Sequence, residues 1–242
     1  MNLNLQTPVG EIARFNYKTV EVFEKLRIDF CCGGDISLGE ACQKQKVDAE
    51  EVLGSLKTLL VSTETDSDHI HVLPLDQLID HIIEVHHSYV LESIPVLQKY
   101  LHKIADVHGE HHPELALVEN YFKKAAANLL QHMQKEEQIL FPFIKEMVEA
   151  KAGNTELSGS HCGTVQSPIS VMKQEHEAEG DRFELISKIT NNYSVPEDAC
   201  NSYVYAFQKL QEFEQDLHRH IHLENNILFP EAIKLEMELI NA

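Results

Sequence analysis

The stretch HMQKEEQILFP, from His132 to Pro142, recurs as HIHLENNILFP from His220 to Pro230. Both copies follow the pattern His-x-x-x-Glu-x-x-Ile-Leu-Phe-Pro. Residues four apart share a helix face, so the pattern places the His beside the Glu, and the Ile and Leu lie near the same face. Each polar pair is therefore expected in a core. Because a buried carboxylate needs a cation or a donor, we interpret the two pairs as parts of one metal centre.

Composition places the chain among ordinary globular proteins. It has 242 residues, of which 43% are hydrophobic, and long Leu, Glu, Lys, Gln and Ala mixtures favour an all-α fold. The net charge of −19 argues against nucleic acid or an anionic membrane as a partner. Neither a signal peptide nor a spanning apolar run is evident, and the five Cys form no framework of spaced pairs. We therefore expect a cytoplasmic protein.

Two domains are predicted. Residues 1–61 contain short amphipathic segments typical of a small helical domain, and Ser37 with Glu40 has the spacing of a capping box at a helix start. Residues 62–73 are polar and are predicted to be a linker. Residues 74–242 are predicted to form the larger domain.

Four long helical segments are predicted in the larger domain. Pro95 and the two Phe-Pro pairs are expected to kink their helices. Short connections between long helices favour an up-down four-helix bundle, in which residues 75–150 and 168–240 are duplicated helix pairs. Gly153–Ser167 is predicted to be the loop between the pairs. The helices are expected at about residues 75–105, 115–151, 169–191 and 196–240.

Duplication predicts a further ligand in the first helix of each pair. In the second half the only His there is His176, which lies 44 residues before His220. In the first half, His81, His86 and His87 are candidates, and His87 lies 45 residues before His132. This spacing favours His87, although helix geometry alone leaves His86 open.

Imidazole with carboxylate is a ligand set typical of iron or manganese, and carboxylates from two helices can bridge two metal ions. A lone histidine is more often solvated or hydrogen-bonded, but repetition of the pair on one face favours a metal site over a buried polar network. His102, His108, His111, His112, His161, His218 and His222 are expected on surfaces and loops. The predicted metal ligands are His87, His132, Glu136, His176, His220 and Glu224.

Adjacent Cys31 and Cys32 form the second candidate site. Their Cα atoms are about 3.8 Å apart, so a disulfide between them would be strained and easily reduced. Nearby helix N-termini are expected to lower a thiol pKa. The pair is then a redox pair or transient iron ligand, or alternatively two small buried hydrophobic residues. Cys42, Cys162 and Cys200 are expected to be inert.

The motifs resemble those of the RIC (repair of iron centres) family, the ScdA/YtfE type of iron–sulfur cluster repair protein. The resemblance covers nearly the whole chain, through DFCCGG at 29–34, IDHII with His87, ISVMKQEH at 169–176 and both copies of the repeat. It implies a hemerythrin-like bundle with two non-haem iron ions, oxo-bridged and held by the six predicted ligands. It also implies roles for Cys31, Cys32 and Glu175.

The resemblance implies repair of iron–sulfur clusters damaged by nitric oxide or oxidants. The centre is expected to supply iron to damaged or apo iron–sulfur proteins, or to react with nitric oxide or O₂. Two alternatives use the same bundle. One is a hemerythrin-like sensor or carrier of O₂ or nitric oxide, and the other is a nitric-oxide-reducing di-iron oxidoreductase. Enzymatic turnover and the choice between monomer and homodimer stay open at this point.

Overall fold

The computed structural model describes residues 3–62, 73–153 and 164–241. Throughout these three ranges the regular elements are helices, so the predicted all-α fold is confirmed. No helix in these ranges combines the length and the apolar character that crossing a bilayer requires. The predicted linker at 62–73 and the loop at 153–167 lie largely outside the described residues. The predicted domain boundaries stay a prediction.

The described helices have the following bounds. Four short helices come first, namely α1 Val9–Phe15, α2 Lys18–Leu26, α3 Leu38–Gln45 and α4 Ala49–Ser62. The remaining α-helices are α5 Leu75–His81, α6 Ser88–His108, α7 Glu114–Lys135, α8 Phe141–Gly153, α9 Gln166–Ile189, α10 Asn201–Leu223 and α11 Phe229–Ile240. Three π-helical turns join some of these segments, namely π1 Ile82–His87, π2 Glu136–Leu140 and π3 Glu224–Leu228.

The chain divides into two compact units, each described here by itself. The Cys-pair unit comprises residues 1–79, 147–157 and 218–242, and the bundle unit comprises residues 80–146 and 158–217. In the Cys-pair unit, the predicted capping box of Ser37 and Glu40 is confirmed at the start of α3. Within the same unit Arg14 of α1 donates to Glu231 of α11 at 2.5 Å.

The bundle unit is packed around the ring of Phe213. Its ring centroid lies 6.2 Å from that of Tyr89, 5.4 Å from Phe122 and 5.6 Å from Phe183. These residues come from α10, α6, α7 and α9, so each of the four helices contributes one ring to the core. Burial of such large apolar side chains is the main stabilising term of this bundle. The arrangement accords with the predicted helical bundle.

The π turns replace the simple kinks predicted at the Phe-Pro pairs. In each π turn a backbone N–H bonds the carbonyl five residues earlier, as from Phe141 to Glu136 and from Phe229 to Glu224. Pro142 and Pro230 then stand at the second position of the next helix, where a missing N–H costs little. Helix α6, by contrast, continues through Pro95. Single π turns occur often at functional sites.

Candidate metal centre

Glu136 is the central acid of the bundle unit. Its side chain has no exposed surface, and it begins the turn π2. One carboxylate oxygen, Oε1, lies 3.2 Å from Nε2 of His132, and the other, Oε2, lies 3.4 Å from Nε2 of His87. A different imidazole therefore faces each oxygen. This geometry is typical of a carboxylate that takes part in a metal site.

His176 of α9 completes the group within this unit. Its Nε2 lies 3.0 Å from Nε2 of His132. His132, Glu136 and His176 each offer one ligand atom, and these atoms lie within 4.8 Å of one another. The bundle unit thus brings together four of the predicted ligands, which are His87, His132, Glu136 and His176.

Two outer carboxylates orient the imidazoles. Nδ1 of His132 lies 2.9 Å from Oε2 of Glu175, and Nδ1 of His87 lies 2.7 Å from Oε1 of Glu137. A carboxylate partner assigns the ring proton to Nδ1, so Nε2 presents its lone pair toward Glu136. The family resemblance pointed to Glu175 but not to Glu137, although Glu137 follows Glu136 directly in the first copy of the repeat.

Glu175 stays ionised in this arrangement. Burial alone raises the pKa of its carboxyl, but hydrogen bonds from Lys135 and His132 outweigh burial and lower the pKa below its ordinary value. Lys135 donates to the oxygen that His132 does not contact. A charged Glu175 strengthens its bond to the imidazole and so makes Nε2 of His132 a better electron donor.

The donor set fits a metal site. Lone pairs of imidazole nitrogens converge on the oxygens of one buried carboxylate, and this convergence repels unless positive charge lies between the atoms. Glu136 faces His87 on one side and His132 on the other, so each of its oxygens has its own imidazole neighbour. Imidazole and carboxylate without thiolate suit non-haem iron.

The structure separates the neighbouring histidines that helix geometry alone left open. Both His86 and His87 are buried. His87 faces Glu136, whereas Nδ1 of His86 lies 2.9 Å from Oδ1 of Asp216. The ring of His81 stacks edge-on against that of His86, at 5.9 Å between centroids. His87 is therefore the histidine of this segment that is placed among the candidate ligands.

The second copy of the repeat lies in the Cys-pair unit. There His220 and Glu224 are both buried, and Nε2 of His220 lies 3.1 Å from Oε1 of Glu224. The pair has the same i, i+4 contact as His132 with Glu136, and Glu224 begins the turn π3 just as Glu136 begins π2. The two copies thus have the same local geometry.

Residues just after Glu224 hold the loop that carries the paired cysteines. The side-chain amide of Asn225 donates to the carbonyl oxygen of Cys31 at 3.2 Å, and that of Asn226 donates to the carbonyl oxygen of Phe30 at 2.9 Å. A Cβ atom on Gly10 would lie 2.8 Å from Oδ1 of Asn226, and one on Gly34 would lie 3.1 Å from it. Glycine at both positions therefore allows Asn226 to approach the backbone closely.

The expectation that His222 lies on a surface is wrong. Its side chain has no exposed surface, its Nδ1 accepts a hydrogen bond from Asn226 at 2.8 Å, and its ring meets that of Phe30 edge-on. The neighbouring His218 also packs edge-on against Phe30. The sequence contained one signal of this difference. The second copy of the repeat has His222, Asn225 and Asn226 where the first copy has Gln134, Glu137 and Gln138.

Cys31 and Cys32 are free thiols whose sulfurs lie 3.9 Å apart. Asp29 fixes their turn by accepting the backbone N–H groups of both cysteines at 3.0 Å and that of Gly33 at 2.8 Å. The hydrogen bond with Cys32, burial and the Asp29 carboxylate raise the pKa of the Cys31 thiol well above its ordinary value. The expected lowering of a thiol pKa is thus wrong for Cys31.

Two known families match the sequence. Residues 5–60 match ScdA_N, described as a domain of unknown function (DUF542). Residues 78–232 match the family described as the hemerythrin HHE cation binding domain. The second match spans all six predicted ligands, and the first spans Cys31 and Cys32.

Similar whole proteins include three bacterial relatives. The probable iron-sulfur cluster repair protein of Haemophilus influenzae is 35% identical over 94% of this chain and 97% of that protein. The iron-sulfur cluster repair protein YtfE of Citrobacter koseri is 33% identical over 93% of this chain and 96% of that protein. YtfE of Yersinia pseudotuberculosis is 34% identical, with coverage of 94% and 97%.

Proposed function

The chain belongs to the family of iron–sulfur cluster repair proteins with a hemerythrin-type cation-binding domain, and we propose that it restores clusters damaged by nitric oxide or oxidants. Its clients are then iron–sulfur proteins with a damaged or missing cluster. The free thiols of Cys31, Cys32, Cys42 and Cys200 suit a reducing cytoplasm. The chain acts as a monomer or homodimer in this proposal.

The observation that carries the proposal is the position of Glu136 between two imidazoles. Within the bundle unit its two oxygens lie 3.2 Å and 3.4 Å from different histidine nitrogens. The sequence repeat extends this set, because His220 and Glu224 repeat the first pair. The proposed ligands of two iron ions are therefore His87, His132, Glu136, His176, His220 and Glu224.

The residues of the chain suit iron release as well as iron binding. Two iron ions held there would supply iron to a client, or would offer open positions to nitric oxide or O₂. Glu175 and Glu137 keep the ring protons of His132 and His87 on Nδ1 and so keep Nε2 available. Glu136 would hold the ions through separate oxygens, so the loss of one such contact would loosen one ion while the other contact remained.

A hemerythrin-like carrier of O₂ or nitric oxide is the second candidate, and a nitric-oxide-reducing enzyme is the third. The Cys-pair unit favours repair over simple carriage. In that unit Asn225, the residue after Glu224, contacts the carbonyl of Cys31. A carrier has no need of paired thiols, whereas repair of a cluster involves handling iron with sulfur ligands.

Iron transfer tests the proposed function. The chain is purified without oxygen, its iron is counted, and absorption and Mössbauer spectra are recorded. We expect about two coupled iron ions per chain, as di-metal bundles hold. The loaded chain is then mixed with an apo iron–sulfur protein and inorganic sulfide and, separately, with a chelator. Faster recovery of the client cluster than from free iron at equal concentration supports repair.

The same preparation distinguishes the other candidates. Consumption of nitric oxide with a reductant, without transfer of iron, would favour the oxidoreductase. Reversible binding of O₂ or nitric oxide without either activity would favour the carrier. Replacing both Cys31 and Cys32 by Ser should slow cluster recovery if the thiols take part, whereas unchanged recovery would remove them from the proposal.

Glu175→Gln is expected to weaken iron binding by about 10–100-fold, the range found when outer partners of metal-bound histidines are replaced. Gln can still accept a hydrogen bond from His132, but it has no charge to strengthen that bond. The measurement is iron retention during titration with a chelator. Glu177→Gln is the matched control, because Glu177 is exposed on the same helix. Equal retention in both variants would remove the proposed role of Glu175.

A further inference from the structure

A second sulfur site lies in the bundle unit, at the residue just before α10. Cys200 is exposed, and its Sγ atom lies 3.2 Å from Nε2 of His108, near the end of α6. The two residues are 92 positions apart in sequence, so the contact is made only by the fold. From the sequence Cys200 is expected to be a small buried residue, but the structure shows that it is exposed.

The start of α10 adds to the effect of His108. The carbonyl oxygen of Cys200 accepts the backbone N–H groups of Tyr203 at 2.9 Å and Val204 at 3.1 Å, so Cys200 caps this helix. The hydrogen bond with His108, together with the backbone N–H groups of Tyr203 and Ser202, lowers the pKa of the Cys200 thiol to about 7. A histidine and a helix N-terminus both favour a thiolate.

Other charged groups around Cys200 are paired with one another. Nε2 of His112 lies 3.0 Å from Asp198, and its Nδ1 lies 3.1 Å from Glu114. These bonds, that of Asp198 first, raise the pKa of His112, and His112 in turn lowers the pKa of Asp198. The negative charges of Asp198 and Glu114 are therefore offset by His112, which reduces their repulsion of a thiolate at Cys200.

Two further groups complete the surroundings. Lys103 of α6 donates to Ser202 at 2.9 Å, which places a positive charge beside the first turn of α10. Tyr203 packs edge-on against His108, and burial with the nearby carboxylates raises its pKa to about 12. Tyr203 therefore stays neutral at physiological pH and adds no negative charge beside the thiolate.

Two other described cysteines differ from Cys200. Cys31 is buried with a raised pKa, and burial raises the pKa of the Cys42 thiol as well. Cys200 combines an exposed sulfur, a histidine at hydrogen-bond distance and a helix N-terminus. This combination is typical of thiols that react with small reagents, whereas burial and a raised pKa slow such reactions.

We propose that Cys200 is a modification site, at which its thiolate undergoes exchange with small uncharged disulfides. The Cys200 sulfur attacks one sulfur of the disulfide, the original S–S bond breaks, and a mixed disulfide on Cys200 forms. The other sulfur leaves as a thiolate and takes up the proton that Cys200 had passed to His108. The disulfide is the oxidant. An uncharged reagent is favoured over an anionic one because the chain has a net charge of −19.

The site is independent of the proposed repair activity. Its chemistry requires neither iron nor the paired cysteines, and none of the candidate ligands contributes to it. Its test therefore succeeds or fails regardless of the outcome of the iron-transfer experiment.

Alkylation kinetics on the full iron-loaded chain provide the first test. The chain is treated with iodoacetamide between pH 5.5 and 9, and modification of Cys200 is followed by peptide mass spectrometry. We expect a rate midpoint at about pH 7. In His108→Gln the midpoint should rise toward the ordinary thiol value of about 8.5. The rate at pH 6 should then fall about fivefold, since the lost thiolate is partly offset by its greater nucleophilicity.

His102→Gln is the matched control. His102 lies on the same helix, its side chain is 73% exposed and its partner is Glu119, so the rate at Cys200 should not change. Far-UV circular dichroism checks that both variants keep their helices. If His108→Gln fails to fold, the proposal is judged from the pH midpoint of the alkylation rate in the unaltered chain. A midpoint above pH 8, or equal rates in a folded His108→Gln, would overturn the proposal.

The second test uses hydroxyethyl disulfide, a small uncharged reagent. A mass increase at Cys200 that is reversed by a reductant, and that is absent from Cys200→Ser, supports the proposal. Cys42 should remain unmodified in the folded chain because it is buried. Rapid alkylation of Cys200 without any mixed disulfide would show an accessible thiolate but would overturn the assigned chemistry.

Discussion

Glu136→Gln is expected to reduce bound iron from about two ions per chain, the number that di-metal bundles hold, to less than about one. The substitution keeps the size of the side chain but removes the charge and one of two oxygens. In the bundle unit His87 and His132 face different oxygens of Glu136, so one proposed iron position loses its oxygen and the other keeps only a neutral carbonyl oxygen. Iron per chain is measured by mass spectrometry after desalting under anaerobic conditions.

Glu149→Gln serves as the matched control, since Glu149 is exposed on the next helix. The apoprotein of Glu136→Gln should also unfold no more easily than the unaltered apoprotein. A buried carboxylate among acceptor atoms is costly when no cation is present, and a neutral amide lowers that cost. Full iron content in Glu136→Gln would contradict the proposed bridging role.

His220→Ala is expected to lose iron, whereas His222→Ala is expected to lose stability, although the two residues are only two positions apart. His220 contacts Glu224 and is a proposed ligand, so its loss should release iron. His222 instead accepts a hydrogen bond from Asn226 and packs against Phe30. Its loss should lower the free energy of unfolding of the apoprotein by about 1–3 kcal/mol, the usual effect of leaving a buried polar partner unsatisfied.

Two measurements on each variant separate these effects. Iron content is expected to fall in His220→Ala and to remain near the unaltered value in His222→Ala. Denaturant unfolding of both apoproteins then reports the stability of the loop region around Phe30. Loss of iron from both variants to the same extent would contradict the distinction and would make His222 part of the metal centre.

Much of the candidate site could be predicted from short stretches of the chain. Helical periodicity alone places His132 beside Glu136 and His220 beside Glu224, because contacts four residues apart depend only on local geometry. The structure shows both contacts, at 3.2 Å and 3.1 Å. The capping box of Ser37 with Glu40 was predictable for the same reason.

Helix geometry was insufficient where a π turn intervenes. His86 and His87 differ by one residue, and the turn π1 that contains both inserts extra backbone into the helix. A count of 100° per residue then loses its accuracy over the following turn. Only the packed structure could show that His87 meets Glu136 while His86 meets Asp216.

By itself, the sequence determined the all-α class, the family and the repeated His–Glu pairs, because these depend on composition, periodicity and motif. The tertiary structure decided which face of each helix is covered. His222 lies opposite His220 on its helix and was expected in solvent, yet Phe30 and Asn226 bury it. It also decided the pKa values of the thiols. Cys32, burial and Asp29 raise the pKa of Cys31, whereas His108, 92 positions away in sequence, lowers that of Cys200. Burial and electrostatics depend on neighbours far along the chain, and local patterns do not contain them.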